Sequence, residues 1–139
     1  MSVLHEGFME FMQIETIRSE RHLVEMTMPV LPEYLQPFGY LHGGVTIALL
    51  ETAASMGALN STNLEKERPF GISVQIRHRK SCKNGMLQGV ATLDRREGDK
   101  QFWHVVASDD KGDVVSDGEI ICKIVSLERL EEKINKDRK

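Results

Sequence analysis

The sequence has little cysteine and no long apolar run. Its 139 residues include two cysteines, Cys82 and Cys122, too few for a disulfide framework and too widely spaced for a short metal-binding pattern. No stretch has the length and apolar character needed to span a bilayer, and residues 1–12 lack the cationic start of a secretory signal. These absences argue against a disulfide-stapled or membrane-spanning protein. We expect a soluble cytoplasmic protein with no membrane partner.

The sequence also has no net positive charge and no metal-ligand pattern. The formal net charge of -3 gives no general attraction to nucleic acid. The five histidines contain no i,i+4 pair, and no compact group of carboxylates accompanies them. A glycine-rich phosphate loop of the Walker or Rossmann type is missing as well. We therefore expect no metal site and no nucleic-acid partner.

The composition is that of one compact domain. With 40% hydrophobic residues, a chain of this length can bury a single core without disulfides. The residues after 127 are short of apolar side chains and rich in charge. The sequence predicts a single domain over residues 1–127 and a charged tail, solvated or a frayed helix, over residues 128–139.

The second half of the chain predicts four antiparallel strands. Ile72, Val74 and Ile76 alternate with polar residues, which is the period of a half-buried strand. Asn84-Gly85 then predicts a hairpin turn. Three further strands separated by short turns are predicted at 86–94, 101–108 and 114–125. Gly118 predicts a bulge or a sharp bend in the last of them. We expect these four strands to form a meander.

The first half predicts an opening hairpin and one helix. Weaker strand patterns cover residues 12–18 and 22–28, whereas residues 43–58 are apolar around nearly the whole helical circumference, which is typical of a buried helix. A sheet that wraps around such a helix buries both elements. The predicted fold is therefore α+β, with an antiparallel sheet around one central buried helix. Sheet edges are often covered by a second subunit, so we expect a homodimer or homotetramer.

One carboxylate interrupts the apolar helix. Glu51 is the only formal charge between His42 and Glu65. Burial of a carboxylate is costly unless something compensates for the lost hydration. No lysine or arginine lies three or four residues away on the same helix. Glu51 therefore has either a catalytic role or a cation partner from the surrounding sheet.

The residues around this helix resemble a known signature. The segment Gln36-Pro37-Phe38-Gly39-Tyr40-Leu41-His42-Gly43-Gly44, followed by Glu51-Thr52-Ala53-Ala54-Ser55, is similar to the motif of hotdog-fold acyl-CoA thioesterases. The most similar branch carries its glutamate on the helix. It includes the phenylacetate-pathway (PaaI-like) type and the Arthrobacter-type 4-hydroxybenzoyl-CoA and 1,4-dihydroxy-2-naphthoyl-CoA thioesterases. The resemblance implies hydrolysis of an acyl- or aryl-CoA to a free acid and coenzyme A, with no cofactor.

The start of the helix suits the chemistry of thioester hydrolysis. Its first backbone N–H groups have no partner within the helix and lie at the positive end of the helix dipole. Gly43 and Gly44 occupy that place, where donors could stabilise the negative charge that grows on the carbonyl oxygen. The resemblance makes the Gly43 N–H the main oxyanion donor and Glu51 either a general base or a nucleophile. The sequence leaves both roles of Glu51 open.

The resemblance also assigns supporting roles. Gln36 corresponds to a side-chain amide near the thioester, although a loop residue that caps the helix entrance explains it too. His42 could polarise the substrate or, alternatively, satisfy backbone groups before the helix. Thr52 and Ser55 could hold the Glu51 carboxylate or the attacking water. Their alternative is that small hydroxylated residues permit close helix packing.

A basic cluster ends the first predicted strand of the second half. It comprises Arg77, His78, Arg79, Lys80 and Lys83. Such side chains can hold the phosphate groups of coenzyme A. By resemblance to the naphthoyl-CoA branch, His78 lies near the acyl group and Lys80 near the nucleotide. A solvated, charged strand end is the alternative for each of them.

Two other functions use the same scaffold. A noncatalytic acyl-CoA-binding or sensing module is the first, because fold alone does not establish catalysis. A hotdog enoyl-CoA hydratase is the second, although the lone Glu51 after His42-Gly43-Gly44 differs from the arrangement expected of it.

Apolar candidates for the acyl pocket, which core packing explains equally well, are Phe38, Tyr40, Leu50, Met56 and Phe70.

Overall fold

The computed structural model describes residues 7–137 and contains six strands and three helices. The strands are β1 (Glu15–Ser19), β2 (Leu23–Pro29), β3 (Glu67–His78), β4 (Met86–Glu97), β5 (Lys100–Ser108) and β6 (Val114–Ser126). The helices are α1 (Gly7–Met12), α2 (Gly43–Asn60) and α3 (Leu127–Asp137). A short 3-10 turn at Pro32–Tyr34 lies between β2 and α2. No helix among these residues has the length and apolar character required to cross a membrane.

All six strands form one antiparallel sheet in the order β1-β2-β4-β5-β6-β3. The opening hairpin and the strands at 86–94, 101–108 and 114–125 are confirmed. The four-strand meander is wrong in one respect, because β3 pairs with β6 and not with β4. Asn84-Gly85 therefore belongs to a connection that crosses the sheet. Gly85 has the positive φ that the dipeptide favours, at 84°, but no hairpin forms there.

The sheet wraps around α2, as the apolar helix predicts. The buried side of α2 comprises Thr46, Leu49, Leu50, Ala53, Ala54, Gly57 and Ala58. Beneath it lies Trp103, which is fully buried. A methyl group on Gly57 would come within 2.3 Å of the indole ring. The opposite side of α2, which includes Glu51, Thr52 and Ser55, is only half-buried in the single chain.

Strand β3 forms a free edge of the sheet and is more exposed than its alternation predicts. Ile72 is 50% exposed and Val74 39%, and a register shift lies between Gly71 and Ser73. A bulge at Gly118 is wrong, because the pairing of β6 with β3 and β5 is continuous there, whereas a bend at Gly118 stays a prediction. Glycine is needed for close approach instead, since a Cβ on Gly118 would lie 1.9 Å from the Gln75 carbonyl oxygen.

The ends of the chain add two helices to this sheet. The first, α1, precedes the opening hairpin, and Met12 belongs to it and not to a strand. The predicted charged tail is helical through Asp137, and α3 has no buried residue. Residues 1–6 of the segment tested for a secretory signal and residues 138–139 of the predicted tail lie outside the described residues.

Candidate active site

A cleft of about 400 Å³ opens at the start of α2. It lies between that helix end, the loop before it and the ends of β3 and β6. Four residues predicted for the site meet there: Gln36, Gly43, His78 and Lys80. The other lining residues are Tyr40, Leu41, Thr46, Arg79, Ser81, Cys82 and Val115. The cleft therefore joins a helix N-terminus to a polar and basic strand end.

His42 is the N-cap of α2. Its Nδ1 accepts a hydrogen bond from the Gly44 N–H at 3.2 Å. The Gly43 N–H makes no hydrogen bond with any residue from 7 to 137. It is thus a donor at the positive end of the helix dipole, beside the cleft. The structure gives His42 the capping role that was the alternative to direct catalysis, and its catalytic role stays a prediction.

His78 packs directly against Gly43. A Cβ on Gly43 would lie 2.7 Å from His78 Nε2, which is too close for a side chain. On its other side, His78 Nδ1 shares a hydrogen bond of 2.7 Å with Ser116 Oγ. Position 43 therefore favours glycine for a steric reason, because the imidazole ring occupies the space that a side chain would take.

Gln36 organises the loop that precedes the helix. Its Oε1 accepts hydrogen bonds from the backbone N–H groups of Phe38 and Tyr40. The loop turns at Gly39, where φ is 90°, a value that favours glycine. These bonds use the oxygen of the amide and leave its NH₂ group as the donor that can serve the cleft. The loop-capping alternative and a contact with substrate are therefore compatible.

Two cations of the basic cluster, Arg79 and Lys80, are paired with acids. Lys80 Nζ donates to Asp109 at 2.7 Å and to Asp113 at 2.6 Å, and these bonds raise the pKa of Lys80 above its usual range. Arg79 donates to Asp117 at 3.0 Å. A phosphate group would have to compete with these aspartates for both cations. The observation favours the charged strand end over a phosphate contact for Lys80, whose nucleotide role stays a prediction.

Glu51 lies outside this cleft. Eight residues separate it from Gly43, a rise of about 12 Å along a helix. Its side is half-buried, and none of the ion pairs among residues 7–137 includes it. Burial and then the charge of Glu51 raise the pKa of the Cys122 thiol to about 11. The cation-paired alternative for Glu51 thus has no support in the described part of the chain.

Thr52 and Ser55 lie near Glu51 on the same helix and not in the cleft. The Thr52 hydroxyl donates to the Ala48 carbonyl at 2.7 Å, so it is used within the helix. Ser55 lines a smaller cavity of about 130 Å³ with Pro69, Gly71 and Cys122. The predicted site residues therefore divide into two groups along α2, one at its start and one around Glu51.

Comparison with known proteins identifies the family. The family described as Thioesterase superfamily matches residues 38–116, which is more than half of the chain. The chain belongs to the thioesterase superfamily. A 1,4-dihydroxy-2-naphthoyl-CoA hydrolase of Listeria monocytogenes is 33% identical over 104 residues, covering 75% of this chain and 84% of that protein. This thioesterase is therefore a thioester hydrolase.

Solved structures support the hotdog fold of this thioesterase. A mutant of SAV0944 from Staphylococcus aureus, in which alanine replaces a glutamate, has a TM-score of 0.83 and 32% identity, covering 86% of this chain and 99% of that one. A second mutant of the thioesterase enzyme SAV0944, with alanine in place of a glutamine, has a TM-score of 0.82 and 31% identity, covering 85% and 98%. The predicted fold is confirmed.

Sequence reasoning missed three residues that hydrogen-bond to the lining of the thioesterase cleft. Ser116, Asp109 and Asp113 contact His78 or Lys80 across at least 29 positions of sequence. No local motif marks them. Their signal is the register of β3 against β6, which places His78 opposite Ser116 and which a predicted pairing of β3 with β4 hides.

Proposed function

We propose that this chain hydrolyses an acyl- or aryl-CoA thioester at a site shared by two copies of the chain. The observation that carries the proposal is the division of the site residues along α2. Gln36 and the Gly43 N–H face one cleft, whereas Glu51 lies about two turns further along the helix. A second copy that supplies its Glu51 to this cleft would complete the catalytic set.

The edge strand β3 offers a surface for this pairing. Among residues 7–137, its backbone is hydrogen-bonded on one side only, to β6. Phe70, Ile72 and Val74 are 46%, 50% and 39% exposed on it. Free sheet edges and exposed apolar side chains favour association with another chain. We propose a homodimer as the active unit, either alone or as half of a homotetramer.

The start of α2 is suited to stabilise the transition state. As a nucleophile adds to the thioester carbon, negative charge develops on the carbonyl oxygen. The Gly43 N–H is a donor without another partner among the described residues, and the Gln36 NH₂ group is the second candidate. Such donors act most strongly when they are fixed before reaction. We propose the Gly43 N–H as the principal oxyanion donor, with Gln36 beside it.

Glu51 supplies either a base or a nucleophile. As a base, it takes a proton from water, whose oxygen adds to the carbonyl carbon before the C–S bond breaks and the thiolate of coenzyme A leaves. As a nucleophile, its oxygen adds to the carbonyl carbon, the C–S bond breaks with loss of the coenzyme A thiolate, and water then cleaves the resulting anhydride to the free acid and the Glu51 carboxylate. A single turnover in isotopically labelled water distinguishes the two routes, because only the anhydride route can place label in the Glu51 carboxylate.

Relatives support this assignment of residues and substrate. In the two SAV0944 structures, the replaced glutamine and glutamate are 15 positions apart, as Gln36 and Glu51 are here. The Listeria relative is named as a hydrolase of an aryl-CoA. We propose an aryl- or acyl-CoA substrate, no cofactor and a cytoplasmic location, in keeping with the two unpaired cysteines.

Release of free thiol from a panel of aryl- and acyl-CoA esters tests the activity. Glu51→Ala should lose at least about a hundredfold in rate, the lower range for removal of an acid or base. Glu65→Ala, a change of an exposed glutamate beyond α2, is the matched control and should keep full activity. Binding of these esters without turnover by the unaltered protein would favour a sensing module, and hydration of an enoyl-CoA would favour a hydratase.

Mixing of two inactive variants tests the shared site. One variant, Glu51→Ala, lacks the carboxylate, and the other, Gln36→Ala, lacks the side-chain amide. A mixed dimer of the two has one complete site only if each site takes Gln36 from one copy and Glu51 from the other. After denaturation and refolding together, random pairing should restore about a quarter of the normal activity. No recovery, with mixed dimers demonstrated by mass spectrometry, would contradict the shared site.

A further inference from the structure

The hydroxyl of Ser116 is buried beneath the cleft. Ser116 lies on β6, has no exposed surface and faces His78 across the ladder between β6 and β3. Its Oγ is 2.7 Å from His78 Nδ1, the distance of a good hydrogen bond. A buried hydroxyl without a partner is destabilising. The imidazole ring satisfies that requirement, and the pair links a buried strand to a ring that borders the cleft.

The far vertex of the same ring contacts the start of α2. His78 Nε2 lies 2.7 Å from the position that a Cβ on Gly43 would occupy. The ring is thus held between the Ser116 hydroxyl and the Gly43 backbone. A histidine side chain can rotate about two bonds. The hydrogen bond to Ser116 restricts both rotations and keeps the ring against the first turn of the helix.

We propose that Ser116 is a positioning residue, which fixes the His78 imidazole against α2 and so holds the Gly43 N–H in place for the oxyanion. This inference rests on the proposed function, because it assigns Gly43 the oxyanion. Ser116 is fully buried and acts through His78, without touching substrate. A small displacement of a donor costs rate because its contact matters most in the transition state.

Kinetics of Ser116→Ala test this role. The kcat should fall about tenfold, the equivalent of one net hydrogen bond, while KM stays within about threefold. Ser108→Ala, a change of a half-buried serine on the neighbouring strand, is the matched control and should change neither constant. In a His78→Ala background, Ser116→Ala should cause no further loss. An equal loss in both backgrounds, or full activity of Ser116→Ala, would overturn the proposal.

The amide resonance of Gly43 gives a test that does not depend on turnover. Ser116→Ala should shift this resonance and the ¹⁵N resonances of His78, and Ser108→Ala should shift neither. Unchanged Gly43 and His78 resonances in Ser116→Ala would overturn the proposal whether or not the protein is active. Failure of the proposed function is recognised separately, since the unaltered protein would then release no thiol from any ester while these shifts still report the contact.

Discussion

The Cys122 thiol on β6 interacts electrostatically with the Glu51 carboxylate on α2. Burial of the thiol is the larger cause and the Glu51 charge the second cause of a pKa raised to about 11. The Glu51 charge therefore acts on the thiol between α2 and β6. Cys122 is therefore a reporter for the proposed catalytic carboxylate.

Replacement of Glu51 should move the Cys122 titration. In Glu51→Gln the negative charge disappears, so the pKa of the Cys122 thiol should fall from about 11. Ultraviolet absorbance of the thiolate measures it, in a Cys82→Ser background that leaves one thiol. Glu65→Gln is the control with an exposed carboxyl. An unchanged Cys122 titration in Glu51→Gln would show that no ionised Glu51 lies nearby.

The same thiol predicts a loss of stability in alkali. Its pKa is higher in the folded protein, at about 11, than the ordinary value of 9.0. A group whose pKa is raised on folding contributes stability that is complete below its pKa in the unfolded chain. That stability is lost as the pH rises toward its pKa in the folded protein. Between these two values, the free energy of unfolding should fall less in Cys122→Ala than in the unaltered protein. Denaturant unfolding at a series of pH values measures the difference, and parallel curves would refute it.

Gly43 and His78 should show steric compensation. Gly43→Ala places a methyl group 2.7 Å from His78 Nε2, and such overpacking costs about 1–3 kcal/mol. The double variant Gly43→Ala with His78→Ala vacates that space. Gly43→Ala should therefore cost less stability in a His78→Ala background than in the unaltered protein, as measured by thermal or denaturant unfolding. An equal loss in the two backgrounds would contradict the packing of the ring on the helix.

Asp109 should contribute to stability in weak acid. The hydrogen bond from Lys80 is the main cause that lowers the pKa of the Asp109 carboxyl. A lowered carboxyl pKa adds stability above the unfolded value of about 3.9, which is lost as pH falls through the folded value. In Asp109→Asn the fall of unfolding free energy below about pH 4 should be shallower. Glu15→Gln, an exposed carboxyl on β1, serves as the control. If the free energy of unfolding falls equally in acid for Asp109→Asn and the unaltered protein, the result would argue against the hydrogen bond from Lys80.

Gly57 should tolerate no side chain. A methyl group there would lie 2.3 Å from the buried Trp103 ring, so Gly57→Ala should lower the free energy of unfolding by about 1–3 kcal/mol. Gly71→Ala is the matched control, because a methyl group on Gly71 has no other atom within 4 Å. Equal stability of the two variants would contradict the close seating of α2 on the sheet.

The sequence predicts the central helix and the strands well because their signals are local. The apolar pattern of residues 43–58 predicts a helix that is buried on most of its surface, and α2 occupies Gly43–Asn60. The pairing of β3 was mispredicted because Asn84-Gly85 has the same local chemistry in a crossing connection as in a hairpin. Exposed apolar residues on β3 were also missed, since alternation reports the period of a strand and not what covers its faces.

In the candidate site, too, the residues of a local motif are predictable from the sequence and those brought together by the fold are not. Gln36, His42 and Gly43 were found from a contiguous motif, and the structure arranges them around the start of one helix. Ser116 depends on a contact between residues 38 positions apart. The aspartates that hold Lys80 depend equally on the fold. A charge pattern alone shows which cations are present but not which acids neutralise them.

Trp103 and Gly57 together set the depth at which α2 rests on the sheet. A larger residue at position 57 requires a smaller ring at position 103, because the interior has no spare volume for both. Natural variants of this scaffold should therefore change the two positions in step. Statistical covariation between them would be the evolutionary trace of a tryptophan on which the helix bearing Glu51 rests.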